Sequence, residues 1–569
     1  MATLDEIGEV TTTDVLIIGG GIGGLAAVIK AKEAFPNVDV LMVEKQTVGF
    51  AGKATKIGGF LAFLGPGNNA EKFIDFQVRT AGEYLNDQET LTKYVNTSYG
   101  AIEQLISWGA KIAKDPQGKL VMAPTPWAPE WSMTFVDIDL MTPMRARARK
   151  LGTKILNKIH VVDLLKKGDR IVGAVGFDII TGRFHIFKAK AVVIANGSCG
   201  YKVRRFWVAG TGDGIAAAYR AGAEMRNAEY GNLYGHVVYR DFDGGQAGYN
   251  FLENSLGENL QNKYMPNAGP AGVFLPVRMA IGLEKEMIEG RGPIVYSPPP
   301  PPPGQSGPPR GMMGFGTPKL SDWNRRMQEK QQKYGPATSP KREIAIPFHG
   351  ELSCIRVDQN MKTTLDGLWA VGDTSYCGSA TAGAVASPPG VSPGSGIMFA
   401  VISALWGGSD AARYAAGVES ADLDIAEVEK LKEEIMAPAK RSKGFSPWDA
   451  ISSLQDVVAP MKYSLRRSKE RLEDGLSRVQ QVKVKLPELY AKDMHYLSKC
   501  HEVISMTECA EMTFRSALMR TESRGSHFRE DYPERDDKNW LKWVILKRDK
   551  DSMATWTESI PIKEYRVKP

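Results

Sequence analysis

Val15-Leu16-Ile17-Ile18 is an unbroken apolar run that stops at Gly19-Gly20-Gly21, and it reads as a buried parallel strand because no polar position interrupts it. Leu25-Ala26-Ala27-Val28 then opens a helix, and a second strand is expected over residues 38–43. Residues 71–111 place Phe73, Phe76, Leu91, Tyr94, Val95, Ile102, Leu105 and Ile106 at three- and four-residue steps, which predicts helix. Strands follow over 159–165, 170–179 and 183–195, with Gly168-Asp169 and Thr181-Gly182 as turns. Between about 226 and 345 the composition shifts to glycine, proline, aromatics and charge, the mark of an inserted cap. Within it, residues 298–303 are consecutive prolines, read as a stiff polyproline II loop. Strand character returns at Leu368-Trp369-Ala370-Val371, and a small-residue segment over 378–396 leads into an apolar helix over 397–406. From about 420 the pattern is helical, and a polar, aromatic-rich tail starts at Thr521.

At 569 residues the length suggests about three or four domains. Mean hydropathy is −0.26 and no run of about 18 apolar residues occurs, so no membrane span is expected. The first ten residues hold two Glu and one Asp without a basic cluster, so no signal peptide is expected. Five cysteines form no C-x-x-C, which argues against a disulfide framework or an internal iron–sulfur cluster and points to reducing cytosol. The net charge of +7 is spread along the chain, compatible with an anionic substrate or an acidic partner, and nothing resembles a nucleic-acid arm.

The chemistry enters with the glycines. Gly19, Gly21 and Gly24 hold the G-x-G-x-x-G spacing between a strand and a helix, where a side chain would keep the backbone away from a pyrophosphate. Free amides at the helix N-terminus, including those of Ile22 and Gly23, and the positive end of its dipole favour that anion. Glu44 closes the next strand, 20 residues after Gly24, where a carboxylate can accept from both ribose hydroxyls. A dinucleotide site follows. No second fingerprint follows a strand, so a nicotinamide domain is not indicated.

The order of these pieces resembles the flavoprotein subunits of the fumarate reductase, succinate dehydrogenase and adenylylsulfate reductase superfamily, nearest the adenylylsulfate reductase alpha subunit. Matching stretches are the fingerprint, residues 191–197, Gly210-Thr211-Gly212-Asp213-Gly214, Glu289-Gly290-Arg291-Gly292-Pro293-Ile294, residues 367–373, and Glu522-Ser523-Arg524-Gly525-Ser526-His527-Phe528-Arg529. The resemblance implies an α/β fold: a Rossmann-like FAD-binding core in two parts (1–225 and 346–419), an inserted α+β capping domain (226–345) and a C-terminal helical domain with its tail (420–569). It implies FAD contacts from Lys45, Lys53, Ala54, Gly58, Gly59, Asn196, Gly197, Thr211, Asp213, Gly372 and Asp373, and from Ser395, Gly396 and Ile397 at a helix start facing the flavin. Arg524, His527 and Arg529 read as structural ion pairs, and no metal site is implied.

The chain also departs from the pattern. Succinate and fumarate enzymes attach FAD to a His before a glycine pair, but residues 49–59 contain no His, so non-covalent FAD is expected. The stretch that resembles the family's carboxylate-clamping segment, residues 387–395, contains no Arg. Arg278 stands a few residues out of register for the proton-delivering Arg, His349 matches a substrate-touching His, and His236 beside Tyr234 lies near a second one. These three are the catalytic candidates, and Arg291 is a further cation able to hold an anion or close a helix. The leading function is an FAD-dependent reductase or dehydrogenase subunit acting on a small, anionic substrate. Its expected electron partner is a ferredoxin-like iron–sulfur subunit in a hetero-oligomer, through which any membrane association would arise. A stand-alone flavin oxidase or enoate reductase, and a non-catalytic electron-relay flavoprotein, remain open alternatives.

Overall fold

The computed structural model describes residues 3–55, 59–125, 128–137, 139–203, 210–233, 237–239, 246–247, 251–266, 276–297, 342–346, 348–350, 352–376 and 395–569. His236, Gly58, the proline run and the Arg-free stretch over 387–394 lie outside them.

The first unit is a βαβ crossover: β1 (Glu9–Ile18), α1 (Ile22–Ala34) and β2 (Val40–Glu44). β1 begins earlier than the apolar run because its threonine-rich half pairs in parallel with a later strand, Thr11 with Phe187 and Thr13 with Ala189. That strand is β6 (Phe184–Ile194), preceded by β3 (Lys154–Asn157), β4 (Ile159–Lys167) and β5 (Arg170–Asp178). The sheet order is β3-β2-β1-β6-β5-β4. A strand from far along the chain, β7 (Leu368–Ala370), pairs in parallel with the end of β6. Its companion helix α4 (Gly396–Gly417) lies against α1 so closely that a Cβ on Gly408 would sit 2.5 Å from the Ala27 carbonyl oxygen. The predicted core elements are therefore present, and the carboxyl ends of β1, β2, β6 and β7 converge on one edge, where open α/β sheets bind ligands.

Two local expectations changed. The helical stretch over 71–111 is broken: Gly82-Glu83-Tyr84 interrupts it, with Glu83 and Tyr84 at positive φ. Asp87 then starts a new helix, α2 (Gln88–Ser107), by accepting from Thr90 N. The tail is also more than a tail. Apolar Trp543-Val544-Ile545-Leu546 belongs to a hairpin of β8 (Lys542–Asp549) and β9 (Ser552–Ser559). β8 pairs with Met225–Arg226, which in turn pairs with Ile355–Arg356, so the C-terminus is stitched into the core.

The inserted region has its own apolar core, built from Leu252, Leu260, Met279, Leu283, Ile294 and Ile344 between a small antiparallel sheet and helix α3 (Pro276–Ile288). The C-terminal region is helical through α5 (Ile425–Lys440), α6 (Pro447–Val458), α7 (Lys469–Lys485) and α8 (Met494–Met519). Cys199, Cys354, Cys500 and Cys509 are buried free thiols. Among the described residues no helix is long and apolar enough to cross a membrane, and no group of side chains could hold a metal ion.

Candidate functional site

The three fingerprint glycines do different work. Gly19 has φ +114°, and a Cβ there would lie 2.4 Å from the Ala195 carbonyl oxygen; a Cβ on Gly24 would lie 1.9 Å from the Gly19 oxygen. Both are needed to close the turn. A Cβ on Gly21 would meet nothing within 4 Å. Gly21 caps α1 without a side-chain bond, so the first-turn amides of Ile22, Gly23 and Gly24 have no partner within the helix. Two more glycines open on the same space. Gly197 has no neighbour at its Cβ position, and Gly52 has only the Gly21 Cα, at 3.5 Å. Together they leave a cradle that any side chain at these positions would invade.

Around it stand the polar groups. Glu44 is buried, accepting from Gly20 N at 2.6 Å and Gln46 N at 2.7 Å; each oxygen keeps a lone pair for a hydroxyl. Lys53 donates to Ser198 Oγ at 2.9 Å and to Asp373 Oδ2 at 2.7 Å, joining the loop over residues 51–55 to the turn after β7. Ala54 is buried beside it, and Gly59 begins a strand. Gly197 N donates to Thr374 Oγ1 at 2.9 Å, and Gly372, at φ +64°, donates to Ser403 Oγ at 2.9 Å. Ser395, Gly396 and Ile397 form the start of α4, which also lacks a side-chain cap bond.

The three N–H groups of Lys45 go to Thr211 Oγ1 (3.0 Å), Asp213 Oδ2 (2.6 Å) and Glu502 Oε1 (2.9 Å), so the ammonium ties the end of β2 to Thr211, Asp213 and the C-terminal helical region. Glu502 Oε2 also takes Lys202 at 2.6 Å and Lys499 at 3.0 Å. Burial disfavours these charges, but the lysines hold the Glu502 and Asp213 carboxyls below their usual range, and the two carboxylates raise Lys45 above an ordinary lysine. Lys202 is the exception: burial outweighs Glu502 and brings it down to about 8. His160, with Nε2 3.6 Å from Asp213, is pushed by burial to about 3 and is neutral.

Three buried acceptors on these segments lack a hydrogen-bond partner: Asn196 Oδ1 just after β6, Asp213 Oδ1 on the carboxylate that Lys45 holds, and Ser395 Oγ at the start of α4. Such groups are costly unless paired. Ribose and ribityl hydroxyls and an adenine amine are donors, and a diphosphate suits the bare amides of α1. The residues present therefore fit FAD.

His349 lies in a two-residue strand opposite Leu233, and Arg278 lies on α3 of the cap. Arg291 closes α3: it grips Glu286 through Nε at 2.6 Å and Nη2 at 2.9 Å, also pairs with Glu289, and holds the Glu286 carboxyl far below its usual range. Arg524, His527 and Arg529 are buried in ion pairs and hydrogen bonds of the tail. Sequence reasoning missed Ser198, Thr374, Ser403 and Glu502; each meets its partner across a long sequence separation, without a local motif.

Fold and site define an FAD-binding α/β flavoprotein with a capping domain. Residues 14–245 match the family profile described as FAD binding domain, and 453–569 the profile described as fumarate reductase flavoprotein C-term. Together they span more than half of the chain, which belongs to the fumarate reductase and succinate dehydrogenase flavoprotein family and is by family a flavin-dependent oxidoreductase. It is 24% identical to the fumarate reductase flavoprotein subunit of Mycobacterium tuberculosis, covering 95% of each chain. E. coli quinol fumarate reductase FrdA shares the fold with a TM-score of 0.83 at 18% identity, covering 99% of each chain. Adenylylsulfate reductase from Archaeoglobus fulgidus shares it with a TM-score of 0.77 at 20% identity, covering 98% of this chain and 97% of that one.

Proposed function

We propose that this chain is the flavoprotein subunit of a two-electron oxidoreductase that holds FAD without a covalent bond, acts on a small anionic substrate and exchanges electrons with an iron–sulfur partner subunit. The observations that carry the reading are the open glycine positions at Gly21, Gly52 and Gly197 and the three buried acceptors without partners at Asn196, Asp213 and Ser395. Bound there, FAD supplies hydride or electron-pair transfer.

The chain's own residues divide the remaining tasks. Amides of Ile22, Gly23 and Gly24 take the diphosphate, and Glu44 takes the adenosine ribose. Asp213 and Asn196 accept from further donors of the nucleotide. Asp373, kept in place by Lys53, accepts from the ribityl chain, and the N-terminus of α4 offers its amides to developing negative charge on the ring system. Gly52 stands in a stretch without a His, which supports non-covalent attachment. His349 and Arg278 are the candidates for polarising or protonating substrate, and excluding water is the task assigned to the cap that carries Arg278. The chain's lack of C-x-x-C supports an iron–sulfur centre on another subunit.

Acid precipitation of the purified yellow protein should release all flavin into the supernatant; flavin pelleting with the polypeptide would overturn non-covalent binding. Fumarate and adenylylsulfate, tested with reduced viologen as donor, should divide the substrate readings. His349→Ala should lower turnover at least about a hundredfold with FAD retained, within the range of a lost general acid. Full turnover in that variant would remove His349 from the chemistry.

A further inference from the structure

Glu502 lies on α8, some 450 residues from the nucleotide-binding turn, yet its Oε1 is 2.9 Å from Lys45 Nζ. Lys45 directly follows Glu44, and the same ammonium holds Asp213 Oδ2 and Thr211 Oγ1. Thr211 Oγ1 also donates to Asp213 Oδ2 at 2.9 Å, so that oxygen is fully engaged while Oδ1, buried and without a partner, is left for a ligand. On its far side Glu502 is gripped by Lys202 and Lys499 through Oε2. Lys202 reaches it from a turn in which Tyr201 and Lys202 both have φ +54°, a conformation that β-carbons disfavour and that persists only where surroundings enforce it. Three ammoniums thus face two carboxylates, and the whole assembly is largely buried.

We propose that Glu502 is a positioning residue for the adenosine end of the cofactor, acting through Lys45 to aim Asp213 into the cradle. The inference rests on the FAD reading above and extends it: the C-terminal helical region completes the nucleotide site from behind. Without the Glu502 charge, Lys45 loses the third acceptor that fixes the direction in which it holds Asp213, and Lys202 and Lys499 lose their shared acceptor.

The test uses full-length apoprotein titrated with FAD and, separately, with ADP. Glu502→Gln should weaken both by about tenfold and by similar factors, the loss expected for a charge-assisted hydrogen bond. At saturating FAD its visible flavin spectrum should match that of the unaltered protein, because the lesion lies away from the ring system. Glu508→Gln is the control: Glu508 is on the same helix and pairs with Arg220 at 2.6 Å, so its loss should lower stability and leave both affinities within about twofold. If Glu502→Gln does not fold, the double variant Lys202→Met with Lys499→Met decides, with at least fivefold weaker ADP binding expected. A loss of less than fivefold in the variant that folds, or an equal loss in Glu508→Gln, overturns the proposal. An unaltered protein that binds neither FAD nor ADP overturns the FAD reading itself.

Discussion

Two clusters of buried charge contrast within this chain, one behind the cradle and one in the tail. Where the tail docks, its Arg524 and Arg529 together with Arg467 and Arg520 lie among Glu229, Glu522, Asp531 and Asp537. Arg524 and Arg529 each hold a carboxylate bidentately, Glu522 and Asp531 respectively. Arg467 Nη1 lies 2.6 Å from His527 Nδ1; a guanidinium only donates, so His527 carries its proton on Nε2, which donates to Arg520 O at 3.1 Å. Behind the cradle the cations are lysines, they outnumber the carboxylates, and Asp213 keeps an oxygen without a partner. A balanced arginine cluster with planar, paired geometry fixes structure. A lysine cluster with a buried acceptor to spare is the kind of arrangement a bound donor completes.

The largest effect should come from breaking the balanced cluster. Arg520→Met leaves Glu229 and Glu522 buried without their shared guanidinium and should cost about 3–5 kcal/mol, read as a lower urea midpoint. Protein that remains folded should keep its FAD affinity.

Acid sharpens the contrast next. His160, held neutral at about 3, cannot take up a proton in the fold, whereas the unfolded chain does so below about 6.5. The unfolded state therefore binds more protons between those values, and stability falls as pH falls through that window and is unaffected above it. By pH 4 the loss from this residue should be about 3 kcal/mol. A His160→Gln variant should show a flatter pH–stability curve between 6.5 and 4 in chemical denaturation. His527 is depressed in the same direction by burial and by Arg467, so some acid lability should persist in that variant.

The ease of reading these regions from sequence differs for a physical reason. The turn after β1 is local: strand, glycines, helix and Glu44 lie within 30 residues, and each signal constrains its neighbours. Turns at Gly168 and Gly182 were equally legible, since both residues take the positive φ that a glycine-marked turn suggests. The lysine cluster joins residues 45, 202, 213, 499 and 502, and no spacing in the chain announces it. The hairpin over 542–559 hid because its apolar run sits among charged flanks, and its partner strand at Met225–Arg226 is only two residues long. The helix break at residue 82 leaves a sign in Asp87, a capping residue, but apolar positions continue across the break at helical spacing. His349, Arg278 and His236 were named by resemblance and not by local chemistry.

The smallest effect is the most selective, and it lies within one turn. A methyl group on Gly24 would collide with the Gly19 carbonyl oxygen at 1.9 Å, so Gly24→Ala should destabilise the protein by about 1–3 kcal/mol whether or not a cofactor is added. A methyl group on Gly21 meets only empty space, and φ there is −73°, a value alanine adopts freely. Gly21→Ala should therefore leave apoprotein stability within about 0.5 kcal/mol while weakening FAD at least about tenfold, because the methyl occupies the path of the diphosphate. Thermal unfolding of the two apoproteins, followed by flavin titration of each, separates a glycine that shapes the turn from one that shapes the cradle. Equal FAD affinity in Gly21→Ala and the unaltered protein would mean that the diphosphate does not rest on this helix.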